Sequence, residues 1–92
     1  MKKTVEIEYV GIEDVQDILD DAYAVMREGH YVSVSVSNVA EDIIVSVNII
    51  LGGFDASKEF DYMIGFYVSE DERDVSEMCK CKSVLKNLLA EE

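Results

Sequence analysis

The sequence predicts an α+β fold, a two-layer sandwich with the element order β-α-β-β-β-α. Four short segments alternate apolar and polar residues, two longer ones repeat apolar residues at the helical period, and glycines or polar runs separate them. Each helix has one apolar face to bury, so both are expected to pack on one side of a mostly antiparallel four-stranded sheet. Ninety-two residues suffice for one core, and residues 1–92 are therefore expected to form a single domain.

The first strand and the first helix adjoin at Gly11. Val5–Tyr9 alternates valine, isoleucine and tyrosine with glutamate, which is the period of a half-buried strand. The period then becomes helical from Ile12 to Glu28, and Gly29 is placed to end the helix. The expected core-facing residues are Ile12, Val15, Leu19, Ala22, Tyr23 and Met26, with Ile18 and Val25 at the margin of that face.

The next three segments predict an antiparallel meander. Val32–Ser37 alternates valine with serine, and the polar residues from Asn38 to Asp42 predict a turn. A third strand follows at 44–51 and ends at Gly52-Gly53, and a fourth spans Glu59–Val68. The expected inward residues of the fourth strand are Phe60, Tyr62, Ile64, Phe66 and Val68.

A second helix is predicted after residue 68. The run Ser69-Glu70-Asp71-Glu72 reads as a capping box, in which the serine hydroxyl and the Glu72 carboxylate each accept a hydrogen bond from a backbone N–H. Its apolar stripe is expected to comprise Val75, Met78, Cys81, Val84, Leu85, Leu88 and Leu89.

Charge is the unusual property of this composition. Twenty Asp and Glu against eight Lys and Arg give a net charge of −12. Such a surface repels phosphate, which disfavours direct binding of nucleic acid or anionic lipid and favours a basic protein partner. Acidity also keeps a protein soluble. No apolar run is long enough to cross a membrane and the start of the chain does not resemble a signal peptide, so a cytoplasmic location is expected.

The acidic side of the first helix is the leading candidate site. Glu13, Asp14, Asp17, Asp20, Asp21 and Glu28 occupy about 120° of the helical wheel. They are spaced about 4 Å apart along the axis, close to the roughly 3.4 Å phosphate spacing of one DNA strand. This spacing suits phosphate mimicry toward a basic partner. The alternative is an ordinary solvated face, although like charges without lysine neighbours destabilise a helix slightly.

A second acidic block lies at the start of the last helix. It comprises Glu70, Asp71, Glu72 and Asp74, which are assigned to partner binding together with the first block. The alternative is favourable interaction with the positive end of the helix dipole. Neither block has the ligand spacing of a calcium loop, so no metal site is expected.

The residues that could carry chemistry have ordinary explanations. A single histidine, His30, does not make a typical zinc site, and Cys79 and Cys81 point different ways on a helix. The segment Gly52–Lys58 contains glycine and lysine but precedes a strand, whereas a phosphate-binding loop precedes a helix. We therefore expect no enzyme activity and no cofactor.

The sheet face away from the helices is a further candidate for contact. Its serines at 33, 35, 37 and 46 and Asn48 solvate an open face, whereas apolar side chains among them suit protein binding or dimerisation. A plain solvent-exposed face is equally compatible with the pattern. The candidate contact residues are Tyr31, Ile44, Ile50, Met63 and Tyr67.

In size, acidity and a helix-flanked antiparallel sheet, the chain resembles small phage-encoded inhibitors such as acidic anti-CRISPR proteins and other DNA mimics. That resemblance implies inhibition of a basic nucleic-acid-binding protein or nuclease, and an immunity protein for a basic nuclease toxin predicts the same chemistry. The alternative is a small homo-oligomeric domain, such as a homodimer, that uses the open sheet or an edge strand and has no catalytic activity.

Overall fold

The computed structural model describes residues 10–90, and the expected first strand at Val5–Tyr9 lies outside them. Within this range the order is α1 (Ile12–Arg27), β1 (Tyr31–Val39), β2 (Asp42–Ile50), β3 (Tyr62–Tyr67) and α2 (Glu72–Ala90). The α+β class is confirmed. Residues 10–90 form a sheet of three strands, fewer than the four expected for the whole chain.

The sheet is an antiparallel meander in the order β1-β2-β3. β1 pairs with β2 without interruption from Tyr31 opposite Ile50 to Val39 opposite Asp42, which leaves the two-residue turn Ala40-Glu41. Ala40 has φ +56°, a conformation uncommon outside glycine, asparagine and aspartate, and it closes the turn predicted at 38–42.

One hydrophobic core lies between the sheet and the two helices. The strands contribute alternate residues of one face, and each helix contributes one stripe, as expected when helices cover a single side of a sheet. The fully buried large side chains of this core include Val45, Val47, Ile49, Phe66, Ile18, Val25, Met78 and Leu85.

α2 follows its predicted pattern, with Met78, Cys81, Leu85 and Leu88 buried. Its start differs from the predicted capping box. The helix begins at Glu72, and Asp71 Oδ1 accepts a hydrogen bond from the Arg73 N–H at 2.8 Å, as an N-cap residue does. Ser69 lies outside the helix, where its hydroxyl accepts from the Asp71 N–H and donates to Asp74.

α1 begins at the predicted residue and ends one residue earlier than predicted, but its core-facing side differs from the prediction. Val15, Ile18, Ala22 and Val25 are buried, whereas four residues expected in the core are 42–67% exposed. The reason is α2, which packs beside α1 and brings the side bearing Ile18 and Val25 into the core. Gly29 follows the helix with φ +102° and ends it as predicted. The four exposed residues are Ile12, Leu19, Tyr23 and Met26.

β3 is shorter than predicted, because residues 59–61 belong to the preceding loop. Asp61 Oδ2 accepts a hydrogen bond from the Leu51 N–H at 2.7 Å and ties the two ends of this loop together. Phe60, expected to point inward, is instead 41% exposed, and its ring packs beside Tyr31 with centroids 6.5 Å apart. The inward residues Ile64 and Phe66 are buried as predicted.

Candidate functional site

The six predicted carboxylates of α1 divide into two groups, because α2 supplies lysines to three of them. Lys82 Nζ lies 2.7 Å from Asp14 Oδ1 and 3.6 Å from Asp17 Oδ2. Lys86 Nζ lies 2.9 Å from Asp21 Oδ2. The side chains of Asp14 and Asp21 are only about one-fifth exposed, at 20% and 19%, so both belong to the contact between the helices.

Asp14 is the most constrained of these carboxylates. Its Oδ2 accepts a hydrogen bond from the Gly11 N–H at 2.9 Å and thereby helps to start α1. Burial acts to raise the pKa of Asp14, but the hydrogen bonds from Lys82 and Gly11 and the charge of Lys82 lower it below its ordinary value. Burial acts to lower the pKa of Lys82, but its contacts with Asp14 and Asp17 outweigh this effect and raise that pKa above its ordinary value. The pair is therefore charged and joins the helices.

The other three predicted carboxylates have no cation paired with them within residues 10–90. Glu13, Asp20 and Glu28 are exposed, and no ion pair involves them among residues 10–90. Along the helix axis, Glu13 and Asp20 are about 10 Å apart and Asp20 and Glu28 about 12 Å apart. Each interval equals about three phosphate spacings of a DNA strand. The one-to-one match with phosphate spacing that the six residues suggested is therefore lost.

The second acidic block is also divided. Asp74 accepts hydrogen bonds from the Tyr67 N–H at 3.1 Å and the Ser69 hydroxyl at 2.7 Å, so it fastens α2 to the end of β3. Asp71 caps the helix. Glu70 and Glu72 are exposed, and they form no ion pair with another described residue.

The two helix starts lie at the same end of the molecule. The Val10 N–H donates to the Ser69 carbonyl at 2.8 Å, which brings the chain before α1 next to the chain before α2. Glu13 at the first turn of α1 therefore lies at the same end as Glu70 and Glu72. We call these three residues the acidic end. Within residues 10–90, exposed carboxylates of the two predicted blocks thus lie at the same end of the molecule.

The outer sheet face is only partly available for contact. Ile50, one of the five predicted contact residues, is 2% exposed and lies outside the main core. The loop at 51–61 packs at this end of the face, where the rings of Tyr31 and Phe54 are 5.2 Å apart. Met63 and Tyr67 are exposed, and Tyr31 and Ile44 are half-buried. The prediction is wrong for Ile50 because nothing in the strand pattern showed that a loop would fold over it.

Hydrogen bonds hold that loop in one conformation. The Gly52 N–H donates to His30 Nδ1 at 3.0 Å, and Lys58 Nζ donates to the Leu51 carbonyl at 3.0 Å. Asp55 Oδ1 accepts from both the N–H and the hydroxyl of Ser57. His30 and Lys58 therefore have structural contacts, and the segment is a turn between strands, as predicted.

Sequence reasoning missed the most exposed apolar surface of α1. Ile12, Leu19, Tyr23 and Met26 form a stripe on the side of α1 away from α2, and we call it the outer stripe. Helical periodicity included these residues in one wide apolar arc together with the buried ones. Only the position of α2 shows which half of the arc is covered.

The described residues show no arrangement typical of a metal centre or a reactive thiol. No cluster of three or more metal-binding side chains occurs in residues 10–90. Burial raises the pKa of the Cys81 thiol to about 11, so it is a thiol rather than a nucleophilic thiolate at neutral pH. None of the helices in this range is long and apolar enough to cross a membrane.

Comparison with known proteins gave no match to a family model, a curated protein or a solved structure.

Proposed function

We propose that this chain is an acidic protein-binding module that acts in the cytoplasm on a basic protein surface. The partner class that fits is a nucleic-acid-binding protein or nuclease, whose basic groove would be occupied by this chain in place of nucleic acid, as in an anti-CRISPR or toxin-immunity protein. The proposal assigns the chain binding and no catalysis.

The observation that carries the proposal is the presence of exposed carboxylates that form no ion pair with any of residues 10–90. Lys82 and Lys86 form ion pairs with Asp14, Asp17 and Asp21. In the described part of the chain, no ion pair involves Glu13, Asp20 or Glu28. Exposed like charges raise the free energy of the folded monomer slightly. A basic partner would offset that repulsion on binding.

The spacing of these carboxylates changes the mechanism from the one the sequence suggested. Intervals of about 10–12 Å along α1 do not reproduce a phosphate backbone. They do create a negative potential along one side of α1 and over the acidic end, which speeds the approach of a cationic surface. We therefore propose electrostatic attraction and exclusion of nucleic acid, rather than mimicry of successive phosphates.

The experiment compares capture of basic proteins by variants of equal charge. The variant E13Q/D20N/E28Q removes three exposed charges from α1, and the control E41Q/D42N/E59Q removes three exposed charges from the turn and loop. We expect wild type and control to retain the same basic proteins at about 50 mM salt, and the α1 variant to lose them by about tenfold or more. Salt of about 0.5 M should release them from all three proteins.

Two results contradict the proposal. One is equal capture by the α1 variant and wild type, since the charges of α1 would then have no role. The other is capture that is unchanged between low and high salt, since attraction between exposed charges is screened. Circular dichroism and urea unfolding establish that each variant remains folded.

A further inference from the structure

We propose that β1 and α1 together form the interface of a two-fold symmetric homodimer, in which β1 pairs with β1 of a second copy and the outer stripes of the two α1 helices pack against each other. The interface includes Glu13 and Asp20, which are also proposed to attract the basic partner, so the dimer and that partner would compete for this side of α1. Their opposite dependence on salt distinguishes the two proposals.

The first observation is that β1 is an edge strand that no segment of residues 10–90 covers. It is nine residues long, carries no charged residue and no proline, and pairs with β2 without a bulge. Natural edge strands usually carry a lysine, a proline, a bulge or a covering segment, because open N–H and C=O groups attract another strand. None of the described residues pairs with the outer edge of β1.

The other edge of the sheet differs from β1 in this respect. β3 has six residues, and the outward N–H of Tyr67 is satisfied by Asp74 Oδ1 at 3.1 Å. Just beyond β3, the Ser69 carbonyl accepts from the Val10 N–H. The fold thus closes the end of one edge with its own groups and leaves β1, among the described residues, open along its whole length.

The second observation is the direction of the outer stripe. Asp14 and Asp21 mark the side of α1 that faces α2, and the outer stripe lies about 160° around the helix from them. α1 packs over β1, whereas α2 packs over β3. The outer stripe therefore projects beyond the β1 edge, on the side where a second copy would pair. Val36 lies on the helix-facing side of β1, as its core-facing valine neighbours do, and it is 51% exposed.

The outer stripe also has the spacing of a helix-pairing seam. Together with Gln16, its residues follow one another at intervals of four, three, four and three, as the a and d positions of a coiled coil do. Two heptads of this repeat are too short to form a stable coiled coil alone. Supported by strand pairing beneath, they can bury a continuous apolar surface. The five positions are Ile12, Gln16, Leu19, Tyr23 and Met26.

The charged residues beside the outer stripe are arranged so that two antiparallel copies of α1 can form ion pairs. A two-fold axis at Asp20 makes the α1 helices antiparallel and sets Glu13, seven residues before it, near Arg27 of the second copy, seven residues after it. This ion pair occurs twice. Asp20 itself lies near its own counterpart, which is the one unfavourable contact.

The centres of the two elements also agree. Asp20 lies about 10 Å along the helix from Arg27, and Ser35 lies about 13 Å along the strand from Tyr31. One axis can therefore pass through the middle of both α1 and β1. A pairing centred on Ser35 sets Val34 opposite Val36 of the second copy and extends the core across the boundary.

The size of the surface indicates a dimer of moderate affinity. A strand of nine residues is about 30 Å long, and the molecule is 18 Å thick. The projected contact is thus on the order of 500 Å² per copy, below the roughly 800 Å² of a standard stable interface. Because each copy carries a charge of −12, repulsion opposes pairing, and added salt should strengthen it.

The test measures self-association of the full chain by sedimentation over a range of concentration at low and at about 0.5 M salt. We expect a species of twice the 10.3 kDa chain mass that becomes more stable with salt, opposite to the salt dependence of a basic partner. Ser35→Lys places two positive charges across the axis and should weaken self-association by about tenfold or more. Ser83→Lys on α2 adds the same charge elsewhere and should leave it unchanged.

Three further variants separate the helix contact from general loss of the fold. Leu19→Gln should weaken the dimer, whereas Met63→Gln, which changes an exposed apolar residue on β3, should not. Asp20→Asn removes the repulsive contact and should strengthen the dimer by about twofold to fivefold, as expected for a screened charge pair. Gains and losses in the same assay cannot both arise from unfolding.

The proposal is overturned if the chain remains a monomer at high concentration and 0.5 M salt, or if S35K and L19Q associate as wild type does. Hydrogen exchange gives an independent result. The outward amides of β1 should become protected as concentration rises. Protection already present in dilute monomer would show that the chain's own residues, such as 1–9, cover the edge, and open-ended oligomers would exclude a closed two-fold pair.

Discussion

Helix α1 has carboxylates on the side that faces α2 and apolar side chains on the side that faces away. Asp14 and Asp21 are mostly buried against Lys82 and Lys86, whereas Leu19 and Tyr23 are 45% and 61% exposed. A buried carboxylate is tolerated only with a hydrogen-bonded cation, which α2 provides. No helix or strand of residues 10–90 covers the exposed apolar stripe, although the Arg27 guanidinium carbon lies 5.9 Å from the centre of the Tyr23 ring. The two sides therefore differ in what they contact: one side joins the helices, and the other is exposed among the described residues.

The largest expected effect comes from comparing two adjacent residues of α1, one in the core and one on the outer stripe. Ile18 is fully buried and Leu19 is 45% exposed. Ile18→Ala leaves a cavity and should lower the free energy of unfolding by about 2–5 kcal/mol. Leu19→Ala should cost less than about 1 kcal/mol, because the side chain is already half in water. Urea unfolding of dilute protein, where the monomer predominates, measures both.

Comparable losses for the two variants would mean that the outer stripe is part of the monomer core. In that case the dimer interface would lose its helical component, since the surface would already be covered.

Several features of the fold follow from the sequence because they depend on local patterns. The valine and serine alternation specified β1, the capping and glycine signals located both helices to within a few residues, and the stripe of α2 was correct. The covered half of the α1 arc and the burial of Ile50 depend on contacts with α2 and with the 51–61 loop. Periodicity gives the width of an apolar arc, but the neighbouring element decides which part is buried.

The candidate site was predicted less well for the same reason. All six carboxylates of α1 appear equivalent on a helical wheel, and the lysines that pair with three of them lie more than sixty residues later in the chain. Spacing within α2 gives a hint, since Lys82 and Lys86 are one turn apart on the flank of its apolar stripe. Only the packing of the two helices identifies their partners.

A second, smaller effect distinguishes paired from unpaired carboxylates on α1. Asp14→Ala removes an ion pair and a hydrogen bond to the Gly11 N–H, and should cost about 1–2 kcal/mol. Asp20→Ala, the matched control, removes an exposed charge with no ion-pair partner among the described residues and should change stability by less than about 0.5 kcal/mol. A double-mutant cycle of D14A with Lys82→Ala should give a coupling of about 0.5–1 kcal/mol.

Equal stability of D14A and D20A would show that the Lys82 contact contributes nothing in solution. Asp14 would then be as available to a basic partner as Asp20, and the division of the acidic side would disappear.

The smallest expected effect is the pH dependence of the difference between wild type and D14A. The pKa of Asp14 is lowered in the folded protein, because its hydrogen bonds and the charge of Lys82 outweigh the opposing effect of burial. The folded state therefore binds the proton less tightly than the unfolded chain, in which an aspartate has a pKa of about 3.9. The stabilisation is fully present above that value and is lost as the pH falls through the lower, folded pKa.

Urea unfolding should give a difference in unfolding free energy between wild type and D14A that is constant between about pH 7 and 5 and decreases below about pH 4. D20A should differ little from wild type throughout. A difference that persists undiminished well below the folded pKa would mean that Asp14 stabilises the helix junction by packing rather than as a carboxylate.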